Sequence, residues 1–312
     1  MGRAELLLDG IAAGNRQALA RAITLLETRD AAMGEALAAR SVRRRTGPGA
    51  PHVVGLTGPP GAGKSTLADG LLSAARGAGE RVAVVAVDPS SPFSGGAILG
   101  DRIRMEQHTS DDEVFLRSLS SRGHLGGLTA ATTEVVDLLD HAGFDRVIVE
   151  TVGIGQSEIG VLEVADTAIV VLTPESGDVV QTMKAGLLEI ADAFVVNKAD
   201  RPGADQLARE LERMIALAEP AWSPPVLTAA AAEGKGVAEI AVAAAAHLEW
   251  CCGSGRASWE QRRGNARVRL ALDLVAEEAR RGAARRLHAD AALLAALRTG
   301  ETAAQDVARR IG

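Results

Sequence analysis

Apolar residues recur at helical spacing between residues 5 and 40. Leu6, Leu7 and Ile11 form one group, Leu19, Ile23, Leu25 and Leu26 a second, and Met33 and Leu37 a third. This pattern predicts an N-terminal helical arm, with Asn15 as the N-cap of its second helix. The Gly/Pro-rich stretch Thr46–Pro51 then reads as a linker. From residue 52 to about 250 the pattern changes to short β-branched runs uninterrupted by polar residues: His52–Thr57, Val82–Val87, Arg146–Val149, Thr167–Leu172, Ala193–Val196 and Pro225–Leu227. Such runs suit strands covered on both faces of a parallel sheet, and amphipathic stretches at Leu128–Leu139 and Gln206–Leu217 fit between them as crossover helices. The expected architecture is a doubly wound, mostly parallel α/β sheet with N-terminal and C-terminal helical extensions. Past Gly253 a long Arg/Glu-rich helix over Trp259–Arg286 carries apolar residues at Val268, Leu270, Leu272, Leu274 and Val275, and two shorter helices follow around Leu293 and Val307. The expected regions are therefore 1–45, 46–252 and 253–312. A polar helix of that length with one apolar face wants a partner surface, either the α/β domain or, preferentially, a second copy.

Composition narrows the classes. A net charge of −6 over 312 residues gives no electrostatic reason to expect nucleic-acid binding, and 2% aromatics with no Tyr leave no base-stacking platform for single strands. No apolar run reaches the ~18 residues of a membrane span and no charged-then-apolar leader opens the chain, so the expected compartment is the cytoplasm. The two cysteines, Cys251 and Cys252, are adjacent and read as idle thiols, and the six histidines show no i,i+4 pair that suggests a metal site.

The chemistry is concentrated in Gly58, Pro59, Pro60, Gly61, Ala62, Gly63, Lys64, Ser65 and Thr66, which fit the G-x-x-x-x-G-K-[ST] phosphate-binding loop between a predicted strand and a predicted helix. Glycines let successive N–H groups wrap a phosphate at a helix N-terminus, Lys64 neutralises the β/γ-phosphates, and the Ser65 hydroxyl is a Mg²⁺ ligand. Asn197, Lys198 and Asp200 form N-K-x-D after a buried strand. The Asp carboxylate there accepts two N–H bonds from the guanine N1/N2 edge, where adenine presents an acceptor, so the nucleotide is GTP or GDP. The Asn of this motif can tie its loop to the phosphate loop. Thr228, Ala229 and Ala230, after the next strand, stand where a further base-contacting loop belongs. Glu150 ends a strand at the position where nucleotide hydrolases place a carboxylate for Mg²⁺, with Gly153 offering an N–H to the γ-phosphate and Gln156 in the nucleotide-sensing segment behind it. Asp88 ends the second strand and Asp101 sits in Gly100-Asp101-Arg102; each is a hard oxygen donor for Mg²⁺ or, alternatively, a cap or turn residue.

Together with Arg21–Thr24, Ala86–Ser91, Gly95–Arg102, Val149–Glu158 and Asp178–Asp192, these motifs resemble one family over about residues 15–310: the chaperone GTPases of adenosylcobalamin-dependent acyl-CoA mutases, the MeaB/MMAA (ArgK-type) branch of the P-loop GTPases. The resemblance implies that Ser65, Asp88, Asp101 and Glu150 surround Mg²⁺, with Lys64 and Glu150 the catalytic pair. It implies that Asp178, Gln181 and Lys184 lie in a third switch that relays nucleotide state to methylmalonyl-CoA mutase or a related mutase. It further implies slow GTP hydrolysis stimulated by the partner, a homodimer joined through C-terminal helices, gating of cofactor delivery without direct binding of cobalamin, and a cobalamin adenosyltransferase as a possible further partner. Two departures stand out: Ala303-Ala304 replaces a Thr-Pro start of the last helix, and Thr228-Ala229-Ala230 lacks the Arg often third in that loop. No catalytic Arg is assigned by position. A metal-insertion GTPase would want a His-rich arm or a Cys cluster near the second strand, and a small-molecule kinase would want an adenine site; the sequence offers neither.

Overall fold

The computed structural model describes residues 2–40, 49–88, 108, 110–120, 125–151, 164–176, 191–218 and 220–311. The chain divides into two compact units, Met1–Gly264 and Asn265–Gly312.

In the first unit, α1 (Arg3–Ala12), α2 (Arg16–Glu27) and α3 (Ala31–Ala39) open the chain. The Asn15 side chain accepts from the Ala18 amide at 3.0 Å and so caps α2 as its short polar side chain allows. Asp30 does the same for α3, accepting from Met33 N at 2.9 Å. In α1 it is Leu7, Leu8 and Ile11 that turn inward, whereas Leu6 faces out at 54% exposure.

Among the described residues seven strands then form one sheet, in the order β3-β2-β4-β1-β5-β6-β7. They are β1 (His52–Thr57), β2 (Val82–Asp88), β3 (Val114–Ser120), β4 (Arg146–Thr151), β5 (Thr167–Leu172), β6 (Ala193–Asn197) and β7 (Val226–Ala229). Every pairing is parallel. The helices α4 (Lys64–Gly77), α5 (Leu125–His141), α6 (Ala204–Ala218) and α7 (Val237–Cys252) run between or after them.

The two-residue strand period sorts the apolar runs onto two covered faces. Val53, Ala83, Val85, Val147 and Val149 pack with α1–α3 and α5 residues such as Leu19, Ile23 and Val135 in one cluster. Val54, Leu56, Val82, Val84, Ile148 and Ile169 pack with Leu67, Leu71 and Leu72 of α4 and Val237 and Ile240 of α7 in another. Both alternating sets are buried, which is why these strands read as continuous hydrophobic runs. A third cluster joins Val170, Phe194 and Val196 to Leu207, Leu211 and Ile215 of α6.

β3 was not expected from the sequence. It is an edge strand, paired only with β2 among the described residues, and Arg117 and Ser118 break its apolar run. Arg117 serves α2 instead, donating to Thr24 Oγ1 at 3.0 Å and to the Glu27 carboxylate. Arg16 adds a bond to the Asp112 carbonyl at 2.6 Å, so α2 covers the approach to this edge.

β1 lies between β4 and β5. The chain leaves β1 for β2 on one side, while β5, β6 and β7 build outward on the other. A sheet whose connections diverge in this way opens a crevice at the carboxyl ends of its strands, and that is where ligands bind.

The helix α8 (Arg256–Ala289) gives its first turns to the first unit and the remainder to the second, which also holds α9 (Ala291–Thr299) and α10 (Ala304–Ile311). Within the second unit Arg286 Nε donates to the Ile311 carbonyl at 2.8 Å, and Asp290 caps α9. The expected single stripe on α8 resolves into two faces: Val268, Leu272 and Val275 are exposed, while Leu270 and Leu274 are half-buried. Among the described residues no helix is long and apolar enough to cross a membrane.

Candidate nucleotide and metal site

The carboxyl end of β1 runs directly into Gly58–Gly63, and α4 starts at Lys64. Gly58, Gly61 and Gly63 adopt φ of +140°, +74° and +88°, values that L side chains rarely take. Space forbids side chains as well. A Cβ on Gly58 would lie 2.0 Å from the Val171 carbonyl oxygen of β5, and one on Gly63 would lie 2.3 Å from Asn197 Nδ2 at the end of β6. Bare backbone is therefore required where the loop passes the neighbouring strand ends, and that leaves its N–H groups at the head of α4. Ala62 is buried beneath the loop, Pro60 and Gly61 are exposed at its tip, and Ser65 and Thr66 are half-buried in the first turn of α4. Lys64 is buried, and its ammonium donates to the Gly58 and Pro59 carbonyls at 2.5 and 3.1 Å, which stations its charge inside the loop.

β4 places a carboxylate beside this cradle. Glu150 is 1% exposed, and Ser65 Oγ donates to its Oε1 at 2.5 Å. β4 continues one residue past Glu150 to Thr151, whose hydroxyl reaches the Leu56 carbonyl at 3.3 Å on β1. A hydroxyl and a carboxylate oxygen together beside a phosphate cradle are the hard donors that Mg²⁺ prefers, and these residues fit that ion. Asp88 ends β2 opposite Ser120 of β3. Its side chain, together with Asp101, Gly153, Gln156, Asp178, Gln181 and Lys184, lies outside the described residues.

The other wall comes from β6 and β7. Asn197 is the last residue of β6 and is buried; its Nδ2 donates to the Ala62 carbonyl at 2.8 Å and its Oδ1 accepts from the Ala231 amide at 3.1 Å. One side chain thus ties the phosphate loop to the loop after β7. Lys198 takes φ +58° and starts a tight turn closed by Arg201 N to Lys198 O at 2.9 Å. That turn leaves Asp200 exposed, and Ala199 N bonds Ala229 O at 2.9 Å. Thr228 is exposed while Ala229 and Ala230 are buried. Ala230 pairs with Lys235 in an antiparallel bridge. Gly236, at φ +80°, passes where a Cβ would meet the Thr228 carbonyl at 2.4 Å. Ala231 was not a sequence candidate. Its contribution is a backbone amide, which any residue but Pro carries, so residue type held no signal.

The fold therefore brings Gly58–Thr66, Glu150, Asn197–Asp200 and Thr228–Ala230 to one end of one sheet. The family model for the methylmalonyl-CoA mutase-associated GTPase MeaB matches residues 19–285. The chain belongs to the MeaB family. Among MeaB relatives, a putative GTPase of Pyrococcus horikoshii is 46% identical over 263 residues, covering 82% of this chain and 81% of that protein. The mitochondrial methylmalonic aciduria type A homolog of Mus musculus is 36% identical over 253 residues, 75% of this chain and 60% of that protein. The crystal structure of a LAO/AO transport system kinase superposes with a TM-score of 0.69 at 27% identity, covering all of this chain and 97% of that one. The MeaB match includes every element of the cradle and both of its walls.

His52, His247 and the two cysteines stand apart from this site. His52 begins β1, and its Nε2 lies 2.9 Å from Thr167 Oγ1, which lies 3.0 Å from His247 Nδ1 of α7. His247 Nε2 is 3.2 Å from Asp192 just before β6, so these residues share the amino ends of the strands, opposite the cradle. Cys251 is buried next to His247, and burial pushes its thiol up to about 12; Cys252 is exposed, and both thiols are free.

Proposed function

We propose that this chain binds GTP and GDP with Mg²⁺, hydrolyses GTP slowly, and uses the bound state to time cofactor loading and protection of an adenosylcobalamin-dependent acyl-CoA mutase, with methylmalonyl-CoA mutase as the favoured client. The observation that carries this reading is Asn197, whose two hydrogen bonds make the phosphate cradle and the base-reading turn one piece. The family to which the chain belongs supports the client, since its model describes a mutase-associated GTPase.

In this reading the N–H groups at the head of α4 and the Lys64 ammonium receive the β- and γ-phosphates. Charge develops on those oxygens as the γ-phosphoryl leaves, and donors already aimed at them need no reorganisation. Ser65 and Glu150, with Asp88 and Asp101 from the neighbouring segment, would hold Mg²⁺, which when bound supplies charge neutralisation across the β- and γ-oxygens. Glu150 keeps the Ser65 hydroxyl oriented from a position closed to bulk water. Asp200 accepts the guanine N1 and N2 protons, and the Ala229–Ala231 backbone borders the base. No arginine is assigned to the γ-phosphate, in keeping with slow turnover unless a partner assists. Gly153, Gln156, Asp178, Gln181 and Lys184 would carry the nucleotide state outward to the mutase.

Equilibrium binding of labelled GDP and ADP tests the first half. GDP binding at least a hundredfold tighter supports it, and equal affinities overturn it. Co-purification with adenosylcobalamin-dependent mutases, in GDP and in a non-hydrolysable GTP analogue, tests the second. Retention of a mutase that changes with the nucleotide supports the reading, and GTP hydrolysis indifferent to every such mutase overturns it. In the same assay Lys184→Ala is expected to keep GTP affinity within about twofold while losing partner-stimulated hydrolysis.

A further inference from the structure

Four charged residues border the base-reading carboxylate Asp200: Glu175 and Arg201 on one side, Lys235 and Glu233 on the other. They come from three different loops. Glu175 lies in the 3₁₀ turn Pro174–Ser176 after β5, Asp200 and Arg201 in the turn after β6, and Glu233 and Lys235 in the loop after β7. Arg201 pairs with Glu175, and Lys235 Nζ pairs with Glu233 at 2.7 Å. Asp200 is adjacent to Arg201 in sequence, and it attracts both cations electrostatically. Even so, among the described residues no hydrogen bond or ion pair engages the Asp200 carboxylate, which stays exposed.

For Arg201 that choice of partner is not what sequence proximity favours. A guanidinium beside a carboxylate normally forms a bidentate pair with it. Here Arg201 is drawn to a glutamate on the neighbouring loop instead, and Lys235 to Glu233 two residues before it in its own loop. The Glu175 carboxyl is held down at about 2 by the Arg201 hydrogen bond, helped by its own backbone amide and Thr173. An Asp200 already bonded to Arg201 or Lys235 would have to give up that pair to accept a base. An Asp200 with two cations nearby but neither attached stays open.

We propose that Glu175 and Glu233 are specificity-determining positioning residues, which hold Arg201 and Lys235 off Asp200 and so keep that carboxylate available to the N–H edge of guanine. The inference rests on the guanine-nucleotide reading of this site and adds residues outside the N-K-x-D motif to it.

GDP and inosine diphosphate share phosphates and ribose and differ in the N2 amine, so the ratio of their affinities isolates the Asp200 contact. Glu175→Gln frees Arg201 to close onto Asp200, and this ratio is expected to fall about two- to fivefold, the scale of a surface ion pair. Arg201→Ala alone should leave the ratio within about twofold of the wild type. The decisive comparison is Glu175→Gln/Arg201→Ala, which should recover the lost preference because the intruding cation is gone. A merely structural role for the pair gives a double variant no better than the single one. In Glu175→Gln, raising salt from about 0.1 to 1 M should also restore the ratio by screening Arg201 from Asp200. Glu233→Gln provides an independent arm through Lys235. An unchanged ratio in both Gln variants, or a double variant worse than Glu175→Gln, overturns the proposal. Wild-type protein that binds ADP as tightly as GDP overturns the underlying reading instead, and the two failures are distinguishable.

Discussion

Asp200 and Asn197 illustrate two kinds of single-residue dependence in this site. Asp200 is exposed and makes no structural bond among the described residues, so under the proposed function changing it alters recognition and little else. Asp200→Asn replaces one acceptor by a donor, which mismatches guanine and suits the N2-side carbonyl of xanthine. A drop in GDP affinity of at least tenfold, with a gain for xanthosine diphosphate and an unchanged melting temperature, is the expected outcome; unaltered GDP affinity would remove Asp200 from the base pocket. Asn197 is the opposite case. It is buried and satisfies the Ala62 carbonyl and the Ala231 amide together. Asn197→Ala strands both backbone groups, at about 1–3 kcal/mol for each one left without a partner. Thermal unfolding should show a loss of roughly 5 °C or more in Tm for a chain of this size, together with weaker binding of every nucleotide, since cradle and base turn are no longer fixed to each other. Both residues were legible in the sequence because the motif spacing names them. Glu175 and Glu233 were not, because no motif marks them: Glu175 reaches Arg201 only when two loops meet, and Glu233 sits beside Lys235 without any fixed spacing to Asp200.

At the scale of elements, hydrophobic period decided what could be foreseen. β1, β2, β4, β5 and β6 are covered on both faces and announce themselves as unbroken apolar runs. β3 has a polar partner in α2, and its Arg117 and Ser118 disguise it. The amino ends of the strands were equally opaque, since His52, Thr167, Asp192, His247 and Arg262 are far apart in sequence and meet only through the crossover topology. Asp192 is the electrostatic centre there. Burial pushes its carboxyl up, but the His247 hydrogen bond and Arg262, at 2.9 and 3.0 Å from its two oxygens, outweigh this and hold it below the usual carboxylate range. A carboxyl whose folded pKa is depressed stabilises the protein above its unfolded value, and that contribution is lost as pH falls through the folded one. Asp192→Asn should therefore cost about 3 kcal/mol at pH 7, where Arg262 loses its counter-charge and His247 its carboxylate partner. The gap to wild type should narrow below about pH 4, where the unfolded chain's carboxyl takes up a proton before the depressed folded one does. Chemical denaturation at pH 7 and pH 3 measures both, and a gap that stays constant between them removes Asp192 from this role.

For the whole molecule, the open matter is what covers α8. Val268, Leu272 and Val275 are each more than 60% exposed and stand at spacings of four and three. That spacing extends in sequence to Asn265 and Ala279, giving a five-position seam with the 3.5-residue period of paired helices. Leu270 and Leu274 lie half a turn away and are already half-buried. Such a seam on a helix otherwise rich in Arg and Glu has little reason to face water, and a second copy of the same helix offers a matching one. We propose that the chain is a homodimer through this seam. Leu272→Glu would place two carboxylates against each other across a twofold axis, and light scattering should move from twice 32.2 kDa to 32.2 kDa. The same variant separates two levels of function. Ser65, Lys64, Glu150 and Asp200 all come from the first unit, so GDP affinity and unassisted GTP hydrolysis should stay within about twofold of wild type. If a mutase reads the nucleotide state from both protomers at once, stimulation by the mutase should fall in Leu272→Glu while basal turnover is retained. A monomeric variant stimulated as strongly as the wild type would mean that each protomer signals alone and that the seam serves stability only.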